Sequence, residues 1–96
     1  MVAYLHAKPE RHGELLEVIH AFVAPTRSED GCIDYHLHVS DDDPNRFVFY
    51  ENWASRAALD EHLKTPYLTD FWNRRLDLLT KDVEIQFMTM LSEFPD

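Results

Sequence analysis

The segment Arg46–Trp53 constrains this chain more than any other. Read as a strand, it puts Phe47, Phe49, Glu51 and Trp53 on one face and Val48, Tyr50 and Asn52 on the other. An antiparallel strand with one wet face alternates apolar and polar residues. Here both faces are mainly apolar or aromatic, so both need cover. The segment therefore belongs at the centre of a sheet, and whatever packs on one side leaves the other to be covered.

The flanking patterns supply the rest of the layout. Met1 to Ala7 reads as a strand, with Val2, Tyr4 and His6 opposite Ala3, Leu5 and Ala7. Pro9 suits a first helical turn, where its missing N–H costs nothing. Leu15, Leu16, Ile19, Phe22 and Val23 then recur at helical spacing, and Pro25 is expected to end or kink that helix. Glu29-Asp30-Gly31 reads as a turn. From Cys32 to Val39 the period is two, with Ile33, Tyr35, Leu37 and Val39 on one face and Cys32, Asp34, His36 and His38 on the other. Ser40 to Asn45 is a polar hairpin loop. Ser55 is a good N-cap for a helix to about Lys64. Thr65-Pro66 restarts a second helix, whose stripe is Leu68, Phe71, Trp72, Leu76 and Leu79. Lys81-Asp82 breaks it, and a last strand is expected from Val83 to Leu91, with a tail at 92–96.

Strand, helix, strand, strand, helix pair, strand is the split-βαβ order of an α+β, ferredoxin-like fold with an antiparallel sheet. Right-handed crossovers put both helical segments on one sheet face and make the first and third strands central. A chain of 96 residues is one domain, 1–96 with a core at 2–91, and buries a modest core alone. The face without helices then meets a second copy of the same sheet, and a two-fold homodimer is the simplest assembly.

Composition removes several classes of function. The formal charge is −9, from 18 acids against nine bases, with no basic run. A nucleic-acid binder needs a basic face to replace phosphate counterions, so no nucleic acid is expected, and no anionic membrane either. No apolar run is long enough to span a bilayer, and no signal peptide is expected, since Met1 to Ala7 lead straight into polar Lys8-Pro9-Glu10-Arg11. Cys32 is the only cysteine; it forms no intrachain disulfide and fits a reducing compartment. A cytoplasmic protein is expected.

Three pieces of sequence carry a resemblance. They are Gly31-Cys32-x-x-Tyr35, then Tyr50-Glu51-x-Trp53, then Ala58-Leu59-x-x-His62-Leu63-x-Thr65-Pro66. In this order and spacing they resemble the antibiotic-biosynthesis-monooxygenase superfamily, nearest its quinol monooxygenase-like branch, from about Val2 to Leu91. The resemblance implies a dimeric α+β barrel with a pocket in each subunit between sheet and helices. Several members oxidise phenols or quinols with O2 and use no metal or flavin. Others degrade haem, act on a signalling-molecule phosphate, or have no known activity, so membership fixes fold better than function. The chain departs from many relatives at Tyr67, where they carry a histidine after Thr-Pro. It also lacks the Trp and His of the haem-degrading branch, having His62 at the Trp place and no His in Phe71-Trp72-Asn73-Arg74.

The candidate site residues each have two readings. His62 follows Leu59 by three on an inward helix face; it is a base for a phenolic proton or a helix-edge histidine bonded to a carboxylate or backbone group. Glu51 shares a face with Phe47 and Phe49, where a carboxylate needs a partner or a shifted pKa. It either orients His62 or a substrate hydroxyl, or makes a structural hydrogen bond. Asn52, on the opposite face, binds a substrate oxygen or is a strand-end polar residue. Tyr35, Tyr50, Trp53, Tyr67, Phe71 and Trp72 wall a pocket for a flat aromatic ligand or belong to the core. Asp34, His36 and His38 have the composition of a non-haem iron triad, but alternate strand residues stand about 7 Å apart, wide for one metal. No metal and no cofactor are expected. The resulting expectation is a cofactor-independent monooxygenase acting on a quinol with O2, with His62 as base, Glu51 as its orienter and Asn52, Tyr67, Trp72, Trp53 and Tyr35 as substrate contacts. Two alternatives stand beside it. One is an isomerase or lyase of a small phosphorylated carbonyl compound, which needs cations in the pocket. The other is a dimeric ligand-binding module without catalysis.

Overall fold

A computed structural model describes residues 1–95; the last residue of the expected tail, Asp96, lies outside the described residues. Four strands form one antiparallel sheet: β1 (Val2–His6), β2 (Cys32–Val39), β3 (Arg46–Trp53) and β4 (Glu84–Gln86). Their spatial order is β2-β3-β1-β4. β3 and β1 are therefore central, as the two-sided apolar pattern of β3 requires. The β1–β3 register sets Leu5 opposite Phe47 and Ala3 opposite Phe49.

Alternation sends one side of this sheet into the core. Ala3, Leu5, Tyr35, Phe47 and Phe49 are all buried there with Leu15, Ile19, Phe22, Phe71 and Leu78 of the helical layer. Complete burial of a Leu or Ile side chain stabilises a fold by about 1.5–3 kcal/mol, and Leu15, Ile19 and Leu78 are fully buried. The other side carries Val2, Tyr4, His6, Val48, Tyr50 and Asn52. Among the described residues no helix covers it, and Tyr50 stays 38% exposed.

The helical layer begins with a 3-10 turn at Pro9–Arg11, followed by α1 (His12–His20) and α2 (Val23–Arg27). Pro25 kinks this layer and does not end it. Its ring nitrogen cannot donate to the Ala21 carbonyl four residues back, so the break falls at Ala21 and Phe22, and helix resumes through Arg27. After the hairpin come α3 (Arg56–Leu63) and α4 (Pro66–Leu78). Ser55 caps α3, accepting the Ala58 N–H at 3.1 Å. Thr65 makes no side-chain cap for α4; its hydroxyl instead donates to the His62 carbonyl at 2.8 Å. Of the stripe expected on α4, Phe71 is buried, whereas Trp72 and Leu76 are exposed.

The last strand is shorter than its alternation suggests. Expected from Val83 to Leu91, it pairs only as Glu84–Tyr4, Ile85–Ala3 and Gln86–Val2. Beyond Gln86 the antiparallel register has run past the end of β1, so the backbone has no ladder partner. Phe87, Met88, Met90 and Leu91 consequently lie exposed.

Candidate active site

Between the sheet and the helices lies an apolar cavity of about 300 Å³. Ala3, Leu5 and Phe49 floor it from β1 and β3, while Phe22, Leu68, Phe71 and Trp72 wall it from the helices. Three polar side chains reach it: Tyr35, Glu51 and His62. No Lys or Arg lines it among the described residues.

His62 sits in the last turn of α3, 1% exposed. Its ring packs 4.6 Å from the Trp53 ring and edge-on to Tyr35 at 5.5 Å. The carboxylate that meets it comes from Glu29. His62 Nδ1 and Glu29 Oε2 are 2.8 Å apart, and the same oxygen accepts the Tyr67 hydroxyl at 2.6 Å. Thr26 Oγ1 lies 2.8 Å from the Tyr67 oxygen. Since Tyr67 donates its proton to Glu29, Thr26 is the donor in that pair. Glu29, Tyr67 and Thr26 thus form one chain of hydrogen bonds ending on the imidazole.

Sequence reasoning missed Glu29, which read as one residue of a turn. The turn is held by Glu29 N–H to the Thr26 carbonyl at 3.0 Å and by Cys32 N–H to the Glu29 carbonyl at 3.2 Å. Gly31 follows with φ of 84°, a left-handed conformation that glycine adopts without cost. A Cβ at Gly31 would lie 2.6 Å from the Ala58 Cβ. The missing side chain therefore lets α3 approach the turn, which brings His62 to Glu29. The Gly31 beside Ala58 in the motif was a signal for that approach.

Glu51 does not bond His62. Its Oε1 accepts the Trp53 indole N–H at 3.0 Å, and the residue is 3% exposed. Desolvation pushes its carboxyl up to about 7, partly opposed by the Trp53 hydrogen bond. Burial, with the Glu51 charge adding to it, also pushes the Tyr35 phenol well above its ordinary value. Tyr67, half-buried, is raised by desolvation and by its bond to Glu29.

The remaining expected contacts divide by position. Tyr35 and Trp72 line the cavity; Trp72 does so from an exposed position beneath the Arg75 guanidinium, 4.5 Å from its ring. Tyr67 and Trp53 stand behind His62 and Glu51 and are not part of the cavity wall. Asn52 lies on the opposite sheet face, where its amide donates to Asp34 at 2.9 Å and to the Tyr50 hydroxyl at 3.0 Å. A strand alternates its side chains between faces, so Asn52 does not line the cavity that holds His62; with Glu51 and Trp53 it lines a second pocket, beside Arg56 and Phe87. Asp34 and His36 are occupied with neighbours as well, His36 Nδ1 with Arg27 at 3.1 Å. Among the described residues, no three His, Cys, Asp or Glu are grouped to hold a metal ion.

The family model described as antibiotic biosynthesis monooxygenase matches residues 1–74. The chain belongs to this family. An uncharacterised protein of Synechocystis is 40% identical over 85% of this chain, and the chain spans 56% of that relative's length. A Mycobacterium tuberculosis protein, named as a candidate monooxygenase, is 33% identical over 97% of this chain and 91% of its own. The solved structure of that mycobacterial protein superposes with a TM-score of 0.90, covering 96% of this chain and 93% of the other at 34% identity. A Pseudomonas aeruginosa structure gives 0.88 at 33% identity, over 95% and 91% of the two chains. The antibiotic-biosynthesis-monooxygenase fold thus covers nearly all of the chain, while the cavity's own side chains define what it can do.

Proposed function

We propose that this protein is a cofactor-independent monooxygenase that oxidises a quinol or related small aromatic with O2. The observation that carries the reading is the buried His62 imidazole on the wall of an apolar cavity of about 300 Å³. That volume is at the lower end for small-molecule sites, which are mostly apolar with few polar groups. The family and the name of the mycobacterial relative support monooxygenase chemistry.

The chemistry asks for a base, apolar walls and exclusion of water. His62 takes a phenolic proton. The resulting electron-rich anion reduces O2, one oxygen atom replaces a ring hydrogen and the other leaves as water. The substrate supplies all four electrons, two from quinol-to-quinone oxidation and two from the C–H bond. Glu51, with its carboxyl near 7, takes or returns a second proton near neutral pH. Tyr35 and Trp72 contact the ring.

A phosphorylated substrate would meet a wall holding a carboxyl group and, among the described residues, no Lys or Arg side chain, which disfavours isomerase or lyase chemistry on a phosphate. Oxygen uptake with a panel of hydroquinones, with and without chelator, tests the reading. Consumption unaffected by chelator is expected. No consumption with any quinol would leave a ligand-binding module.

A further inference from the structure

We propose that Glu29 is the positioning residue of this site, holding His62 as the Nδ1–H tautomer so that Nε2 is the nitrogen left to act as base. The argument starts from donors and acceptors. An ionised carboxylate only accepts hydrogen bonds. With Glu29 Oε2 at 2.8 Å, Nδ1 must carry the proton. Neutral imidazole has one N–H and one lone pair, so the lone pair falls on Nε2. None of the hydrogen bonds among the described residues goes to Nε2, and His62 lines the cavity.

The second hydrogen bond to Glu29 fixes the carboxylate itself. Tyr67 donates to the same oxygen at 2.6 Å, and Thr26, which is fully buried, braces the Tyr67 hydroxyl. The imidazole is thus held from behind by groups on three segments: the end of α2, the turn after it, and the start of α4. Trp53 packs on the ring and limits its rotation. The choice of tautomer decides which of the two nitrogens can accept a proton. The kinetic part of this inference rests on the monooxygenase reading; the tautomer does not.

The test is ¹⁵N NMR of the full chain labelled at histidine. The protein has six histidines, and the His62 signals are assigned by their loss in His62→Gln. At a pH where the ring is neutral, the wild type should show Nδ1 protonated and Nε2 bare. Glu29→Leu, similar in volume, removes the oxygen that accepts from both His62 and Tyr67. It should convert the ring to a mixture or to the Nε2–H form. Glu29→Gln, whose amide oxygen can accept both bonds in the same place, should retain the Nδ1–H form. Tyr67→Phe leaves the carboxylate on Nδ1 and should keep the wild-type tautomer. An Nε2–H ring in the wild type, or an unchanged ring in Glu29→Leu, would overturn the proposal. So would equal loss of the tautomer in Tyr67→Phe, which would mean that the Tyr67 hydroxyl and not the carboxylate selects it. With a quinol that the wild type oxidises, Glu29→Leu should lower kcat roughly tenfold or more with KM within about twofold. A loss confined to KM counts against positioning. If the wild type oxidises no quinol, the monooxygenase reading fails and the tautomer result decides the role of Glu29 alone.

Discussion

Tyr35 and Glu51 face each other across the β2–β3 ladder, and both side chains reach the same apolar cavity. A phenol and a carboxylic acid are therefore held side by side where ionising either is costly. Burial is the leading cause of the upward shift at both.

That placement makes stability depend on pH. The Glu51 carboxyl moves from its ordinary value of 4.5 up to about 7 in the folded chain. Between those values the folded protein keeps a proton that the unfolded chain has released, so stability falls as pH rises through the window and levels off above it. At 1.36 kcal/mol per unit the whole effect is about 3 kcal/mol. Glu51→Gln has no such proton. Urea unfolding of both proteins from pH 4.5 to 8 should show the variant gaining on the wild type across that range. A constant difference would mean that Glu51 titrates as an ordinary carboxylate.

The open face of the sheet leads to a second expectation. Val2, Tyr4, Val48 and Tyr50 lie there, half-buried or exposed, with no helix over them among the described residues. Two such faces brought together by a two-fold axis would cover each other. Light scattering at micromolar concentration should give twice the chain mass, and Tyr50→Lys should shift the equilibrium toward monomer. A wild type that remains monomeric across that range excludes this assembly.

His62 gives the third. Free imidazole titrates at about 6.5 and a phenol at about 10. Direct transfer is uphill by roughly 3.5 units, or about 5 kcal/mol, unless the site also stabilises the phenolate. Asn52 and Tyr67 were expected as substrate contacts. Asn52 does not line the cavity that holds His62, and the Tyr67 proton is already given to Glu29. His62→Ala should therefore slow a weakly acidic quinol about 100-fold or more, the usual range for a general base. A quinol already ionised at the assay pH should lose much less. Equal losses would show that His62 shapes the cavity and moves no proton.

The sheet was legible in the sequence because its evidence is local. Arg46–Trp53 shows two apolar faces, which places it in the centre of the sheet, and the right-handed crossover rule sets it beside β1. The inward position of His62 followed from its spacing to Leu59. What did not follow was the partner of His62. Glu51 stood on the right face of the right strand, but its carboxyl is drawn to the indole of Trp53, two residues along the same strand. Glu29 reaches His62 across 33 residues of chain, through a turn whose geometry depends on Gly31. Periodicity carries no record of such a contact. The truncation of β4 was hidden for a related reason: alternation continues to Leu91, but the pairing available to it on β1 stops at Val2.

Gly31 is where this dependence is most exposed to test. An alanine there must hold φ near 84°, a left-handed conformation that costs an L-residue roughly 1–2 kcal/mol. Its Cβ would also stand 2.6 Å from the Ala58 Cβ. Neither methyl has a rotamer that escapes, so α3 must move away from the turn, and overpacking of this kind costs about 1–3 kcal/mol. Gly31→Ala should therefore destabilise the fold by about 2–5 kcal/mol, lowering Tm by roughly 10 °C or more for a chain of about this size. The displacement carries His62 away from Glu29, so the tautomer held by that carboxylate should be lost in whatever fraction stays folded. Ala58→Gly separates the two causes. It removes the opposing methyl at a helical cost of about 1 kcal/mol and leaves the φ strain in place. In the double variant, part of the loss should be recovered, and the Nδ1–H signal of His62 should return with it. A Gly31→Ala protein that melts within about 2 °C of the wild type would show that the turn and α3 are not in the close contact on which the site depends.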